Sequence, residues 1–368
     1  MTIRVQRSIL AAAALLGVAA SVAPAPVAGR ESRMRLEDTT FTGLVRGSLE
    51  AGFCPGTQWP KITDARDSVE SLYRLNGWQP VWTRAGRPTG PALAMLEVLR
   101  AAADRGLSPA DFDAGLLGSG AEALARAVAP PSSRELAFFD LALSVDVARL
   151  VAALHGGSIP AIAVHPGFRL SPPALDLVGV MDALRRADGP GPILKGVEPG
   201  SVEYRRLLGW LVRYRGLAKD STLRLPLGLP RKFGPGDPLS RASRLRRLLT
   251  ALGDLDLPPS APIPADTSYD ETLVAGIRRF QARHGIVADG VIGPATAEQL
   301  VRPIESRVRQ IELALQRERW LPRPLPPRAI VVNLAAFRST AGPTDGHDGT
   351  LTMSVIAGGA REHETPRP

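Results

Sequence analysis

Cysteine and aromatic residues are scarce in this chain of 368 residues. The single cysteine, Cys54, excludes a disulfide within the chain. Aromatic residues make up only 5% of the sequence, so we expect largely helical cores built from leucine, alanine and valine. The 36 glycines and 34 prolines predict that these elements are often interrupted.

Sequence patterns of common hydrolases are also missing. The histidines are scattered, and none belongs to a His-Glu-x-x-His sequence, which argues against a zinc peptidase. There is no Gly-x-Ser-x-Gly nucleophile turn, and no pair of acidic residues stands in a recognisable muramidase context. We therefore expect neither a metal site nor a cofactor.

Only the N-terminus holds a long apolar run. Arg4 and Arg7 precede the apolar residues 9–22, and small residues follow. This order is typical of a secretory signal peptide, and the run is too short to span a bilayer comfortably. We therefore interpret residues 1–28 as a signal peptide. We expect an exported protein of the periplasm or cell wall without a stable membrane span.

The chain carries a formal net charge of +9. Two explanations remain open: a coding bias toward arginine and alanine, or attraction to an anionic surface such as wall polymers or lipid. Nucleic acid would be a third anionic partner, but the export signal argues against it. We therefore expect no nucleic-acid partner.

Helical periodicity dominates residues 61–234, after a polar, aperiodic stretch at 29–60 that we interpret as a linker. The longest predicted helix covers 134–155, with Ser133 as its N-cap. A run rich in glycine and proline at 226–238 ends this helical block.

A second helical block spans residues 235–302. Its first helix is predicted to open at Asp237-Pro238, and Ser268 and Glu271 form a predicted capping box for the next helix. Beyond this block, Pro303 opens a further predicted helix. The apolar period then changes to two at 330–334 and at 351–356, which predicts two β-strands.

A motif in the second block joins eight residues: Phe280, Gln281, His284, Gly285, Asp289, Gly290, Gly293 and Thr296. Phe280 should fill the core, His284-Gly285 should end the helix, and Asp289-Gly290 should turn the chain because glycine tolerates a positive φ. In order and spacing, the motif resembles that of the three-helix peptidoglycan-binding domain. The resemblance implies that residues 235–302 bind peptidoglycan, through its stem peptides or its glycan strands.

Three arginines lie close together in the first predicted helix of this module: Arg244, Arg246 and Arg247. We expect them on a solvated helix face. The alternative is that they contact the carboxylates of wall stem peptides.

The wider order of segments resembles the large, scaffold-containing L,D-transpeptidases of bacterial murein. The likeness rests on Trp78, Trp82 and the turn at 105–109, and on four later segments at 318–322, 330–334, 353–358 and 365–366. It implies a helical scaffold domain at 61–234. It also implies a linker helix at 303 onward that leads into the start of a catalytic domain, within 303–368. The implied role is that of a transferase in cell-wall cross-linking and remodelling.

The chain departs from this family at the catalytic motif. The family uses a cysteine within Ser/Thr-His-Gly-Cys-x-Arg, together with a second histidine, and no such motif occurs here. Cys54 lies in the wrong domain, and His347 and His363 have no cysteine partner. We expect no catalytic residues and a chain truncated within its catalytic domain. Two alternatives remain: a non-enzymatic wall-binding scaffold protein, or a fragment of an active L,D-transpeptidase.

The predicted fold class is therefore mainly α. It combines a helical scaffold, a three-helix peptidoglycan-binding domain and the first strands of an incomplete β-rich catalytic domain.

Overall fold

The structure is a computed structural model. It describes residues 39–164, 170, 174–224, 227, 232, 234–239, 242–256, 268–321, 326–333, 338–343 and 349–356. Over these residues the chain is mainly helical and carries small antiparallel sheets, which confirms the predicted fold class. The interpretation of residues 1–28 as a signal peptide lies outside the described part. Among the described helices, none is both long enough and apolar enough to cross a membrane.

Helices make up most of the described chain. The helices within residues 41–218 are α1 Phe41–Ala51, α2 Arg66–Leu75, α3 Gly90–Arg100, α4 Ala114–Arg126, α5 Ser133–Gly156, α6 Ala161–Val164, α7 Leu177–Leu184, α8 Gly191–Val197 and α9 Val202–Ala218. The helices within residues 242–320 are α10 Ala242–Leu252, α11 Glu271–Arg283, α12 Pro294–Val301 and α13 Ile304–Trp320. The strands are β1 Thr83–Arg84, β2 Arg87–Pro88, β3 Arg328–Asn333, β4 Arg338–Pro343 and β5 Leu351–Ser354.

Helix α5 is the centre of the first core, and it begins one residue earlier than predicted. Ser132, and not Ser133, is its N-cap. The Ser132 hydroxyl accepts from the N–H of Glu135 at 3.2 Å, and the Glu135 carboxylate accepts from the N–H of Ser132 at 2.8 Å. This reciprocal capping box needs a glutamate three residues after the cap, which only Ser132 of the two serines has.

A buried carboxylate on α5 joins three segments of this core. Asp140 is fully buried and accepts backbone N–H groups of Val81 and Trp82 at 2.9 and 2.8 Å. The hydroxyls of Tyr73 and Thr83 donate to it at 2.8 and 3.2 Å. Burial raises the pKa of Asp140, although these four donors oppose the shift. Asp140 thereby orients α2 and the β1 segment on α5.

The predicted linker at 29–60 is wrong for residues 41–51, which form α1. Thr40 caps the helix, and its hydroxyl accepts from the N–H of Gly43 at 3.1 Å. Val45 and Leu49 are buried against the core around α5, four residues apart on one helix face. Phe41, Leu44, Val45 and Leu49 follow the spacing of an amphipathic helix, so the helical signal was present in the sequence and the linker interpretation overlooked it.

The second core lies under α10, α11 and α12, and the start of α11 differs from the prediction. Asp270, and not Ser268, caps α11, accepting from the N–H of Leu273 at 2.9 Å. Ser268 instead pairs with Pro238 in an isolated β-bridge. That bridge keeps both residues extended, so α10 does not open at Asp237-Pro238 but is described from Ala242 onward.

Helix α13 contacts the first core as well as the second, although it was predicted to be a linker helix. It packs along α9. Its Trp320 indole donates to the carbonyl of Ile159 at 2.7 Å, and Gln316 donates to the same carbonyl at 2.9 Å. On the other side, Ile304 is buried in the second core. The helix therefore packs against both cores and links them.

The C-terminal sheet has the antiparallel order β3-β4-β5. Strands β3 and β5 were predicted. The middle strand β4 was missed because Arg338–Pro343 has no alternating apolar pattern, and only its pairing with two neighbours defines it. Large apolar side chains remain exposed on the outer strands, among them Ile330, Leu351 and Met353.

The first prediction concerns Asp140. Asp140→Asn should destabilise the protein by about 2–3 kcal/mol, because an amide cannot accept from four donors and its NH₂ would face some of them. Urea unfolding followed by circular dichroism measures the change. The matched control, Asp67→Asn on the exposed side of α2, should stay within about 0.5 kcal/mol of the parent protein. Equal effects of the two variants would contradict the role given to Asp140.

Candidate functional site

The motif of the second block surrounds one buried amide. Gln281 is 1% exposed, and its Nε2 donates to Asp289 Oδ1 and to the carbonyl of Val291, both at 2.9 Å. A longer contact of 3.2 Å reaches the hydroxyl of Thr296. Its Oε1 accepts from the N–H of Gly290 at 2.9 Å. One side chain therefore ties the end of α11 to the following turn and to α12.

The turn itself requires glycine. Gly290 has φ +78°, and a Cβ there would lie 2.8 Å from the Val274 side chain. The Tyr269 hydroxyl donates to the Gly290 carbonyl at 2.7 Å. Asp289 accepts from the N–H of Val291, and this bond and the Gln281 amide hold the pKa of Asp289 below its usual range.

His284 ends α11, as predicted. Its ring centroid lies 4.1 Å from that of Phe280, and its Nδ1 is 2.7 Å from the Phe280 carbonyl. Arg307 approaches Nε2 at 3.1 Å, and since a guanidinium only donates, Nε2 must accept and Nδ1 must carry the proton. Burial lowers the pKa of His284, which favours this neutral form.

The structure brings the eight motif residues together, and half of them are buried inside the module. Phe280, Gln281, Gly290 and Thr296 are buried, and His284 and Gly293 are partly exposed. Gly285 and Asp289 are exposed. The buried members determine the fold of the module, and His284 also lines a cavity. Their role as ligand contacts remains a prediction.

That cavity is a groove of about 360 Å³ between α9, α11 and α13. Its aromatic and polar lining comes from six residues: Trp210, Tyr214, Arg283, His284, Arg307 and Gln310. Leu207 and Ile311 supply apolar wall. We call this cavity the α9–α13 groove.

Two guanidinium groups in the α9–α13 groove differ in their partners. Arg283 forms an ion pair with Asp254 at 2.6 Å. Arg307 is 7% exposed and donates to His284 and to the carbonyl of Gln299, while its Nε has no partner. Among the described ion pairs, none joins Arg307 to a carboxylate. Burial lowers the pKa of Arg307, but the group stays charged.

The sequence analysis missed Trp210 and Arg307. Trp210 is 43% exposed, off the buried face that Tyr204, Leu211 and Tyr214 form on α9. A large aromatic outside the apolar stripe of a helix is a signal that could have identified it. Arg307 carried no such signal, because only tertiary packing brings α13 against the end of α11.

The three arginines of α10 do not share a solvated face. Arg246 is buried and forms an ion pair with Asp270, the N-cap of α11, whereas Arg247 is exposed and Arg244 is partly exposed. The prediction was wrong for Arg246 because α10 packs against the start of α11, where the Asp270 carboxylate pairs with the guanidinium. Any contact of Arg244 or Arg247 with stem peptides remains a prediction.

Cys54 is fully buried beside α5 in the first core. Burial raises the pKa of its thiol to about 12, and the Asp146 carboxylate adds to the shift. A thiol of this kind is a poor nucleophile at neutral pH. In the described ranges there is also no group of three or more His, Cys, Asp or Glu side chains that could hold a metal ion.

A larger cavity of about 630 Å³ opens beside α5, with Trp59, Asp64, Phe112 and Arg149 among its lining residues. Arg149 is already bonded to Asp64 at 2.9 Å and to the carbonyl of Trp59 at 3.3 Å. The Arg149 charge is therefore already paired within the protein.

The second prediction concerns Gln281. Gln281→Leu should destabilise the protein by about 2 kcal/mol, because the buried N–H of Gly290 loses its acceptor. Urea unfolding is the measurement, and Gln299→Leu on the half-buried side of α12 is the matched control. If Gln281→Leu is no more damaging than Gln299→Leu, the amide does not hold the turn.

Comparison with known protein families finds two matches in this chain. Residues 67–211 match a family described as a scaffold domain, and residues 240–300 match one described as a peptidoglycan binding domain. No curated protein matches the chain. These matches do not include a catalytic L,D-transpeptidase domain. The chain carries a scaffold domain and a peptidoglycan-binding domain, as expected of a protein that faces and binds the cell wall.

Proposed function

We propose that this protein is exported to the periplasm or cell wall and binds peptidoglycan there through the module at 235–302. It would belong to the L,D-transpeptidase family, which cross-links and remodels the wall, but with Cys54 as its single cysteine it would lack transpeptidase activity. The observation that carries the proposal is the complete network around Gln281, in a segment that matches peptidoglycan-binding domains.

The buried network supports binding indirectly. It holds the end of α11 and the turn after it in one conformation, so residues near that end keep a fixed geometry. His284 and Arg307 lie at this place and line the α9–α13 groove. A preformed groove reduces the entropy that binding must offset.

The proposed lack of transpeptidase activity rests on the state of Cys54. Acyl transfer by the family's mechanism needs a thiolate, a base that deprotonates it and donors for the oxyanion. Cys54 is the single cysteine of the sequence, and it is buried, with a raised pKa. The sequence therefore supplies no accessible thiolate for this reaction.

A second candidate is a piece of an active L,D-transpeptidase. The sheet β3-β4-β5 favours it, because Ile330, Leu351 and Met353 are exposed on strands where a larger β-domain would cover them. The other alternative, a non-enzymatic scaffold protein, accounts equally for the two matched domains but not for these exposed side chains.

The third prediction is binding to the wall. The purified protein should co-sediment with insoluble sacculi at low ionic strength. The bound fraction should fall in part between about 0.01 and 1 M salt, because the Debye length shrinks from about 30 to about 3 Å. Sacculi digested to soluble fragments serve as the control and should leave the protein in the supernatant. A folded protein that stays in the supernatant with intact sacculi at low salt would contradict the proposal.

The fourth prediction is that the protein has no transpeptidase activity. With murein tetrapeptides the protein should release no D-alanine and form no new cross-links. The thiol of Cys54 should not react with a disulfide reagent at about pH 8 until the protein is unfolded, since a thiol with a raised pKa is not ionised there. Turnover that Cys54→Ala abolishes would make Cys54 the nucleophile. Turnover that survives this substitution would show an active site elsewhere.

A further inference from the structure

We propose that the α9–α13 groove binds the carboxylate of a wall glycopeptide, with Arg307 as the carboxylate partner and Trp210 as the surface on which a sugar ring stacks. This inference rests on the proposed function and names the ligand group that the protein takes.

The first argument is the unmatched charge of Arg307. Its guanidinium is nine-tenths buried, yet its bonds go to the neutral groups His284 and Gln299, and Nε makes none. A buried cation without an anionic partner costs free energy. Arg283 next to it forms the direct ion pair with Asp254, so the two guanidinium groups share one carboxylate and a net positive charge remains beside the groove. An anion in the groove would supply the missing partner.

The second argument is the exposed aromatic side. Trp210 is exposed beside the groove, and its ring contacts Tyr214 edge-on at a centroid distance of 6.0 Å. The Arg213 guanidinium lies 5.3 Å from the same ring. A flat, half-exposed indole offers an apolar face to a ligand at little entropic cost, since it has few rotatable bonds.

The size and polarity of the groove select the ligand class. A volume of about 360 Å³ lies at the lower end of the range for small-ligand sites, so it suits a sugar unit or a few amino acids and not a long polymer segment. Peptidoglycan combines sugar rings with free peptide carboxylates in one small repeat. A guanidinium recognises a carboxylate through directed N–H bonds, which a point charge would not supply.

The groove also depends on both matched domains. Leu207 and Trp210 lie in the segment that matches the scaffold domain, whereas Leu252, Arg283 and His284 lie in the peptidoglycan-binding match. Arg307 comes from α13, outside both. The site therefore requires the assembled chain, and the isolated module would lack its aromatic wall.

The fifth prediction tests the groove with the full chain and a soluble disaccharide tetrapeptide from murein as the probe, by titration calorimetry. Trp210→Ala should weaken binding about tenfold, as expected when a stacking platform is removed. Trp59→Ala, which removes a similarly exposed tryptophan at the other cavity, should bind as the parent protein does.

Blocking the ligand carboxylates tests Arg307. The parent protein should bind the carboxyl-amidated probe about tenfold more weakly than the free acid, and Arg307→Gln should bind both alike. If Arg307→Gln does not fold, the affinities of the parent protein and of Trp210→Ala for the two probes still test whether the groove recognises the ligand carboxylate. Equal affinity of the parent protein for both probes would overturn the inference.

Sacculus co-sedimentation of the same variants separates this inference from the proposed function. If the parent protein binds sacculi while neither Trp210→Ala nor amidation changes affinity for the probe, the groove is not the site and wall binding stands. If the parent protein binds neither sacculi nor probe, both ideas fail.

Discussion

The packing of α13 against the scaffold is the constraint on which the rest of the structure depends. Arg319 near the end of this helix is fully buried and donates to the Tyr204 hydroxyl at 2.9 Å and to the carbonyl of Arg105. The contact is close enough to restrict the backbone it meets: a Cβ at Gly106 would lie 2.9 Å from Leu315. Because α13 also carries Arg307, these contacts set where that guanidinium lies.

Two buried charges in the molecule illustrate opposite arrangements. The Asp140 carboxylate is surrounded by four donors from two neighbouring segments, so its hydrogen bonds are complete within the chain. The Arg307 guanidinium has neutral partners and an unused nitrogen, so its charge is not balanced. The first arrangement stabilises a fold, whereas the second leaves favourable free energy available to a ligand. Arg319 is likewise buried among neutral partners, but it lines none of the described cavities. The missing anionic partner together with a place on the groove wall therefore marks Arg307 as a candidate binding group.

The motif that indicates peptidoglycan binding is largely internal. Gln281, Gly290 and Thr296 are buried, and they hold a turn and two helix ends together. A motif of this kind identifies the module because its residues determine how the module folds. The surface that meets a ligand can then vary around an unchanged interior. The proposed contacts, Trp210 and Arg307, accordingly lie outside the motif.

The sequence by itself determined the helical class and the end of α11 at His284, because apolar periodicity and capping residues act over a few neighbouring positions. The module was indicated by the resemblance of its motif to the peptidoglycan-binding domain. It contained an amphipathic pattern for α1 that the linker interpretation overlooked, and it did not reveal β4, which exists through its pairing with β3 and β5. It placed the caps of α5 and α11 nearly correctly, missing by one or two residues where a glutamate or a β-bridge decided between neighbours. Only the tertiary structure assembled the α9–α13 groove, since its residues come from helices far apart in the chain and their meeting depends on packing that no local pattern records.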